Sequence, residues 1–379
     1  LQQRRAPHFF LPYLLHSRMF CCSSRQNRSF LFSNRRISAT FVTVTSVAHR
    51  THLSRGDGIL HFSSETKLWE LEAAFPAMKG QFISGGDFFS GSTAEKTLAQ
   101  LHREQPAWVP EDILYGLENL HRVSDSKVQL VWPLPHASLV YLPAAKKQHT
   151  AFAVLAAGGA YGAVCTMVEA MPVAARLNAL GFDCFCLNYR TAVPENFVSG
   201  LMPQPLDDLA DALRLIAENR AVFAVDPMQY LLFGFSAGGH LASLWGTCAL
   251  GARHYGLPQP LLLALAYPLI SMAQYPASPV RDYLCKGLFG SDYSSEQLNR
   301  YDAGKNMDAD YPKTYLVRAL DDSTVPPDNA AEFLRALSCY QVPCRLRQAE
   351  AGAHGFGLGS RTPLSGWVDD AVLFWEEST

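Results

Sequence analysis

Gln229-Tyr230-Leu231-Leu232-Phe233-Gly234-Phe235-Ser236-Ala237-Gly238-Gly239-His240-Leu241-Ala242-Ser243-Leu244-Trp245 changes period partway along. Tyr230 to Phe233 is an uninterrupted apolar run, which predicts a buried strand ending at Gly234. From Ala237 onward the residues are small, and Leu241, Leu244 and Trp245 recur at helical spacing. Between the two, Gly234-Phe235-Ser236-Ala237-Gly238 fits G-x-S-x-G, a sharp strand-to-helix turn with serine at its apex. The apex backbone is strained, so its neighbours must be small. The helix that begins there aims its free N–H groups and positive dipole end at whatever Ser236 attacks.

The flanking chain alternates strands and helices from Lys127 to the C-terminus. Strands are expected at Val128–Trp132, Ser138–Leu142, Phe152–Ala156, Asp183–Leu187, Leu261–Tyr267, Thr314–Ala319 and Cys344–Gln348. Helices are expected at Val164–Leu180, Leu206–Asn219, Ala330–Ser338 and Gly366–Trp375. That alternation predicts an α/β protein with a doubly wound, mostly parallel sheet. Sites in such sheets form at the carboxyl ends of the strands. Residues 271–312, rich in Tyr, Ser, Pro and Asp, read as an irregular insertion. Its Tyr275, Tyr283, Tyr293 and Tyr301 could roof a pocket or simply pack the loop.

A serine hydroxyl needs a base, and the base needs an orienting acid. In strand-turn-helix serine enzymes the order along the chain is serine, acid, histidine. Asp321 and Asp322 follow the strand Thr314–Ala319, and either could supply the acid or cap a turn. His354, in Gly352-Ala353-His354-Gly355-Phe356-Gly357, follows the strand Cys344–Gln348. His240 is the rival base, but it sits on the elbow helix, where its ring is expected to point inward or along the helix. A developing oxyanion needs fixed backbone N–H donors. One is expected from Ala237, and others from Ala156-Ala157-Gly158-Gly159-Ala160-Tyr161-Gly162 after an earlier strand. That loop has neither G-x-G-x-x-G nor a G-K-[ST] ending, which argues against a phosphate loop.

The 379 residues are 48% hydrophobic and 17% charged, enough for a sizeable core. A net charge of -2 predicts no attraction to nucleic acid or anionic membrane. The nine cysteines form no C-x-x-C pair, and an odd number argues against a complete disulfide set. A reducing compartment, the cytoplasm, is expected, with no metal and no cofactor.

Residues 1–60 differ from the rest. Arg4, Arg5, Arg18, Arg25, Arg28, Arg35, Arg36, Arg50 and Arg55 fall there with many serines, and no acid precedes Asp57. That is the composition of an organelle transit peptide, and equally of an over-extended reading frame. A strand is expected within it at Ala39–Val47. Residues 61–125 read as a helical N-terminal extension or cap. A helix is expected over Thr93–Gln105, capped by Ser92 or Thr93. A second is expected over Val109–Leu120, with Pro110-Glu111-Asp112 as its first turn. Residues 126–379 read as the catalytic domain.

Taken in order, Gly158-Gly159-Ala160-Tyr161, Asn188-Tyr189-Arg190, Gly234 to His240, Asp322-Ser323-Thr324-Val325-Pro326 and His354-Gly355-Phe356 resemble the α/β-hydrolase esterases. They are most similar to the bacterial acetyl-esterase and feruloyl- or xylan-esterase-like branch. The resemblance implies a Ser236-Asp322-His354 triad, because D-x-x-V-P is the spacing of the acid in similar hydrolases. It also implies an oxyanion hole from Gly159, Ala160 and Ala237. Tyr161 and Arg190 are expected to bind substrate, with the alternative that Arg190 simply ties loops together. Many relatives have His before the glycines where this chain has Ala157, so the bracing of that loop must come from elsewhere. The implied partner is a small-molecule or carbohydrate ester. The rival readings are a peptidase of the same fold and a non-catalytic binding protein.

Overall fold

The computed structural model describes residues 53–55, 58–60, 62–85, 94–126, 128–192 and 196–377. The strand expected at Ala39–Val47, the caps expected at Ser92 or Thr93 and most of the 1–60 leader lie outside them. Leu53–Arg55 and Gly58–Leu60 form a short antiparallel pair.

Eight strands make the central sheet: β1 (Val131–Pro133), β2 (Ser138–Leu142), β3 (Phe152–Ala156), β4 (Asp183–Asn188), β5 (Tyr230–Phe235), β6 (Leu262–Ala266), β7 (Thr314–Ala319) and β8 (Cys344–Ala349). Their order is β8-β7-β6-β5-β3-β4-β2-β1. The first two strands run antiparallel to their neighbours, and all pairs from β4 to β8 are parallel. Every residue of β3, β4, β5 and β6 is buried. Continuous apolar strands of this kind need cover on both faces.

Two groups of helices supply it. Ser236–Trp245 packs on β5, β6 and β3 and touches Gln204–Glu218. Met171–Ala179 packs on β4 and β3 and touches Trp367–Glu376. Tyr230 and Phe152 stack inside the sheet, and Trp245 closes the end by donating its indole N–H to the Tyr230 hydroxyl at 2.8 Å.

Three local readings change. The expected helix Val164–Leu180 opens as one wide π-turn, Thr166–Ala170, before the α-helix Met171–Ala179. The helix expected from Thr93 starts at Leu98, where Thr97 and Gln100 form a reciprocal capping box. That box satisfies two otherwise orphaned N–H groups and fixes the start. The 271–312 insertion is not irregular throughout: Ser278 caps a helix at Pro279–Phe289, and Ser294 caps another at Ser295–Arg300.

The segment 62–125 packs as part of the same unit as the sheet, which spans Thr51–Thr379. Pro110–Ser124 lies on Met171–Ala179, with Tyr115 donating to the Ala175 carbonyl and Asn119 bonding Asn178. Its first turn also reaches the C-terminal region. Asp112 accepts from the Ser360 hydroxyl, and Glu111 pairs with Arg361.

Candidate active site

The elbow is the strand-to-helix junction at the end of β5. Ser236 has φ +50°, the left-handed region that a non-glycine residue adopts only under constraint. The constraint is steric. A Cβ on Gly238 would stand 2.0 Å from the Ala156 carbonyl oxygen, so the turn lies directly on the neighbouring strand. Ser236 is 9% exposed, with its hydroxyl at the start of the helix Ser236–Trp245.

The loops after β7 and β8 converge on it. His354 Nε2 lies 2.8 Å from Ser236 Oγ, and His354 Nδ1 lies 2.7 Å from Asp322 Oδ2. The other Asp322 oxygen accepts the N–H groups of Thr324 and Val325 at 2.9 and 2.8 Å. A carboxylate only accepts, so Nδ1 carries the imidazole proton and the lone pair of Nε2 faces the serine. The neighbouring Asp321 accepts from the Ala353 amide at 2.8 Å and so fastens the histidine loop. The structure therefore separates the two aspartates: Asp322 touches the imidazole and Asp321 touches only the loop.

The glycine loop after β3 turns through three successive positive φ values, +130° at Gly159, +54° at Ala160 and +58° at Tyr161. The Gly159 carbonyl accepts from both Gly162 and Ala163, which curls the loop. Ala237 lies in the first helical turn, whose N–H groups have no acceptor within the helix. The bracing that a histidine at position 157 would supply comes from two other groups. Tyr189 donates to the Ala157 carbonyl at 2.6 Å, and the Gly158 N–H donates to Glu169.

Tyr161 and Arg190, expected at the substrate, are engaged elsewhere. Tyr161 is 1% exposed, and its hydroxyl bonds His240 Nδ1 at 2.9 Å. Burial pushes its phenol well above the ordinary range. The Arg190 guanidinium is spent on Asp208, with Nε at 2.8 Å from Oδ1, and on the backbone and side chain of Gln204. Its backbone N–H also donates to Asp208. Arg190 ties loop to helix, because a nearly enclosed carboxylate needs a paired cation.

His240 is fully buried. Its Nε2 lies 2.8 Å from the Tyr301 carbonyl, which can only accept. Nε2 therefore carries the proton, and Nδ1 accepts from Tyr161. Burial holds this imidazole neutral, with its pKa lowered to about 4.

Two residues at the site went unread in the sequence. Glu169 is 4% exposed behind the glycine loop, and Tyr267, 1% exposed, follows β6 with φ +38°. The available signal for Glu169 was a single acid within the apolar run Met167 to Ala175. Among the described residues no cluster of His, Cys, Asp and Glu could hold a metal ion.

A mostly parallel eight-stranded sheet with a serine elbow at the end of its fifth strand defines an α/β-hydrolase. The chain carries such a domain, and its residues 139–253 match the BD-FAE family. Over 225 residues it is 27% identical to endo-1,4-beta-xylanase B of Butyrivibrio fibrisolvens, covering 55% of this chain and 33% of that one. Over 207 residues it is 27% identical to an acetylxylan esterase of Xylanibacter ruminicola, covering 54% of this chain and 40% of that one. The chain thus spans less than half the length of these curated relatives. The crystal structure of an acetyl ester-xyloside bifunctional hydrolase from Caldicellulosiruptor lactoaceticus matches with a TM-score of 0.54 and 28% identity, covering 64% of this chain and 88% of that one.

Proposed function

We propose that the protein is a serine carboxylester hydrolase for short acyl esters, carbohydrate acetates among them, working through an acyl-enzyme. The observation that carries this reading is the hydrogen-bonded line from Ser236 through His354 to Asp322 at the strand ends. Ser236 Oγ attacks the ester carbonyl while His354 Nε2 takes the hydroxyl proton. Asp322 holds the ring in the required tautomer and faces the imidazolium that forms. Amides of Gly159, Ala160 and Ala237 receive the oxyanion. Collapse of the tetrahedral intermediate breaks the C–O bond to the alcohol, which leaves with the proton from Nε2. Water then attacks the acyl-enzyme with His354 as base, releasing the acid and restoring Ser236.

The carbohydrate preference follows from the relatives, which are named for acetylxylan and acetyl ester-xyloside chemistry. No helix among the described residues is long and apolar enough to cross a membrane. The cysteines described are all free, which favours a cytoplasmic location.

The test is hydrolysis of p-nitrophenyl acetate and acetylated xylan by wild type and Ser236→Ala. Wild-type turnover that falls at least about 10⁴-fold in the variant supports the reading. Equal rates in the two proteins would overturn it.

A further inference from the structure

Glu169 is a carboxylate in the interior, and no cation among the described residues is bonded to it. It sits on the π-turn Thr166–Ala170, where the widened backbone carries the side chain behind the glycine loop. One carboxylate oxygen accepts the Gly158 N–H; the other accepts the Tyr267 hydroxyl at 3.0 Å. The Tyr267 oxygen in turn accepts the Gly357 N–H at 3.0 Å. Three hydrogen bonds thus run from the histidine loop to the glycine loop, and the two at the carboxylate are both donated to it.

Both ends of this chain lie at the reacting groups. A Cβ on Gly158 would stand 2.7 Å from Ser236 Cβ, so that residue's backbone abuts the serine. The Tyr267 ring stands edge-on to His354, centroids 5.0 Å apart, and edge-on to Phe356 at 4.5 Å. Burial raises the carboxyl of Glu169, and the bonds from the Gly158 amide and the Tyr267 hydroxyl offset only part of that rise. An interior carboxylate is costly unless its oxygens are bonded. Here one bond comes from the glycine loop directly and the other from Tyr267, which is itself bonded by the histidine loop, and the relative placement of those two loops sets the distance from imidazole to oxyanion donors.

We infer that Glu169 is a positioning residue for the proposed hydrolysis: it fixes the glycine loop through Gly158 and, through Tyr267, holds the histidine loop in register with it. This role rests on the esterase reading. It stands in for the histidine that position 157 lacks. Glu169 does not touch the substrate. Its effect belongs to the transition state, when the oxyanion amides must already be aligned.

The experiment compares full-length wild type, Glu169→Ala, Glu169→Gln and Tyr267→Phe on p-nitrophenyl acetate. A boronic acid serves as a tetrahedral mimic on Ser236. Glu169→Ala should lower kcat about 10²-fold, less than or comparable to removing an oxyanion donor, with KM within about threefold. Boronate affinity should fall by a matching factor, since the mimic uses the same amides. Glu169→Gln keeps a carbonyl for the Gly158 N–H and should recover kcat to within about tenfold of wild type. Tyr267→Phe, which breaks the chain but keeps the carboxylate, should cost about tenfold in kcat and in boronate affinity together. If Glu169→Ala fails to fold, Glu169→Gln and Tyr267→Phe decide the matter. The role is overturned if the loss falls on KM, or if kcat drops while boronate affinity holds, or if Tyr267→Phe matches wild type in both. Wild type without any Ser236-dependent turnover removes the esterase reading and this role with it. Turnover that ignores these variants removes only the role.

Discussion

Tyr161 donates its phenol proton to Nδ1 of His240 across 2.9 Å, joining the glycine loop to the helix that carries Ser236. In this direction the bond requires a neutral His240, because a protonated ring has no acceptor there. Burial, not this bond, lowers the folded-state pKa of His240 to about 4 against the unfolded 6.5, and that makes the neutral buried ring a pH-dependent contribution to stability. Between those values the unfolded chain binds the extra proton, so unfolding becomes easier as pH falls from 6.5 towards 4. The contribution is complete above about pH 6.5 and amounts to about 3 kcal/mol, an upper figure for a buried ring. Urea unfolding at pH 7.5 and pH 4.5 measures it. His240→Gln should start less stable and lose much less over that interval. An identical pH slope in the two proteins would rule out the coupling.

Asp321 and Asp322 are neighbours in sequence with different tasks, and conservative amides separate them. Asp322→Asn can present an N–H to Nδ1 and favour the wrong tautomer, so kcat should fall about 10³- to 10⁴-fold. Asp321→Asn keeps an oxygen for the Ala353 amide and should change kcat by less than about fivefold. Steady-state kinetics on p-nitrophenyl acetate read both. The reverse ranking would mean that the acid had been misassigned.

Arg190 is expected to matter for stability and not for substrate. Arg190→Ala strands the Asp208 carboxylate, which is 1% exposed and already raised by burial. The loss should be about 2 to 4 kcal/mol, discounted from a fully buried pair because the guanidinium retains some exposure. Denaturant melts should show that drop while KM for p-nitrophenyl acetate stays within about twofold. A large rise in KM at unchanged stability would restore Arg190 to the substrate.

Much of this architecture is local and therefore legible. The β5 run, the small residues around Ser236 and the long amphipathic helices each announce themselves within a dozen positions. So do the loops that carry Asp322 and His354, because each follows an apolar strand and contains turn formers. The bonds between remote segments are not written that way. Nothing beside Arg190 announces Asp208, which reaches it from the next helix. Nothing beside Tyr161 announces that His240, 79 residues on, will take its proton. Glu169 was hidden by the same rule. Its partners Gly158 and Tyr267 come from different strands, and the π-turn that aims it has no periodicity to separate it from an ordinary helix. The insertion hides its helices for another reason: serine at 278 and 294 looks like loop composition, and each is a helix cap.

The grip of Asp112 on Ser360 spans 248 positions, and Ser360 follows the loop that carries His354. Gly355 lies near the indole of Trp108, from the same early segment. The clasp therefore closes only when the early helix and the segment beyond the imidazole loop are both present. A nascent chain that has not yet emerged past Ser360 holds Ser236 and His354 without this clasp. A shortened version starting at the sheet would release that clasp from the other side.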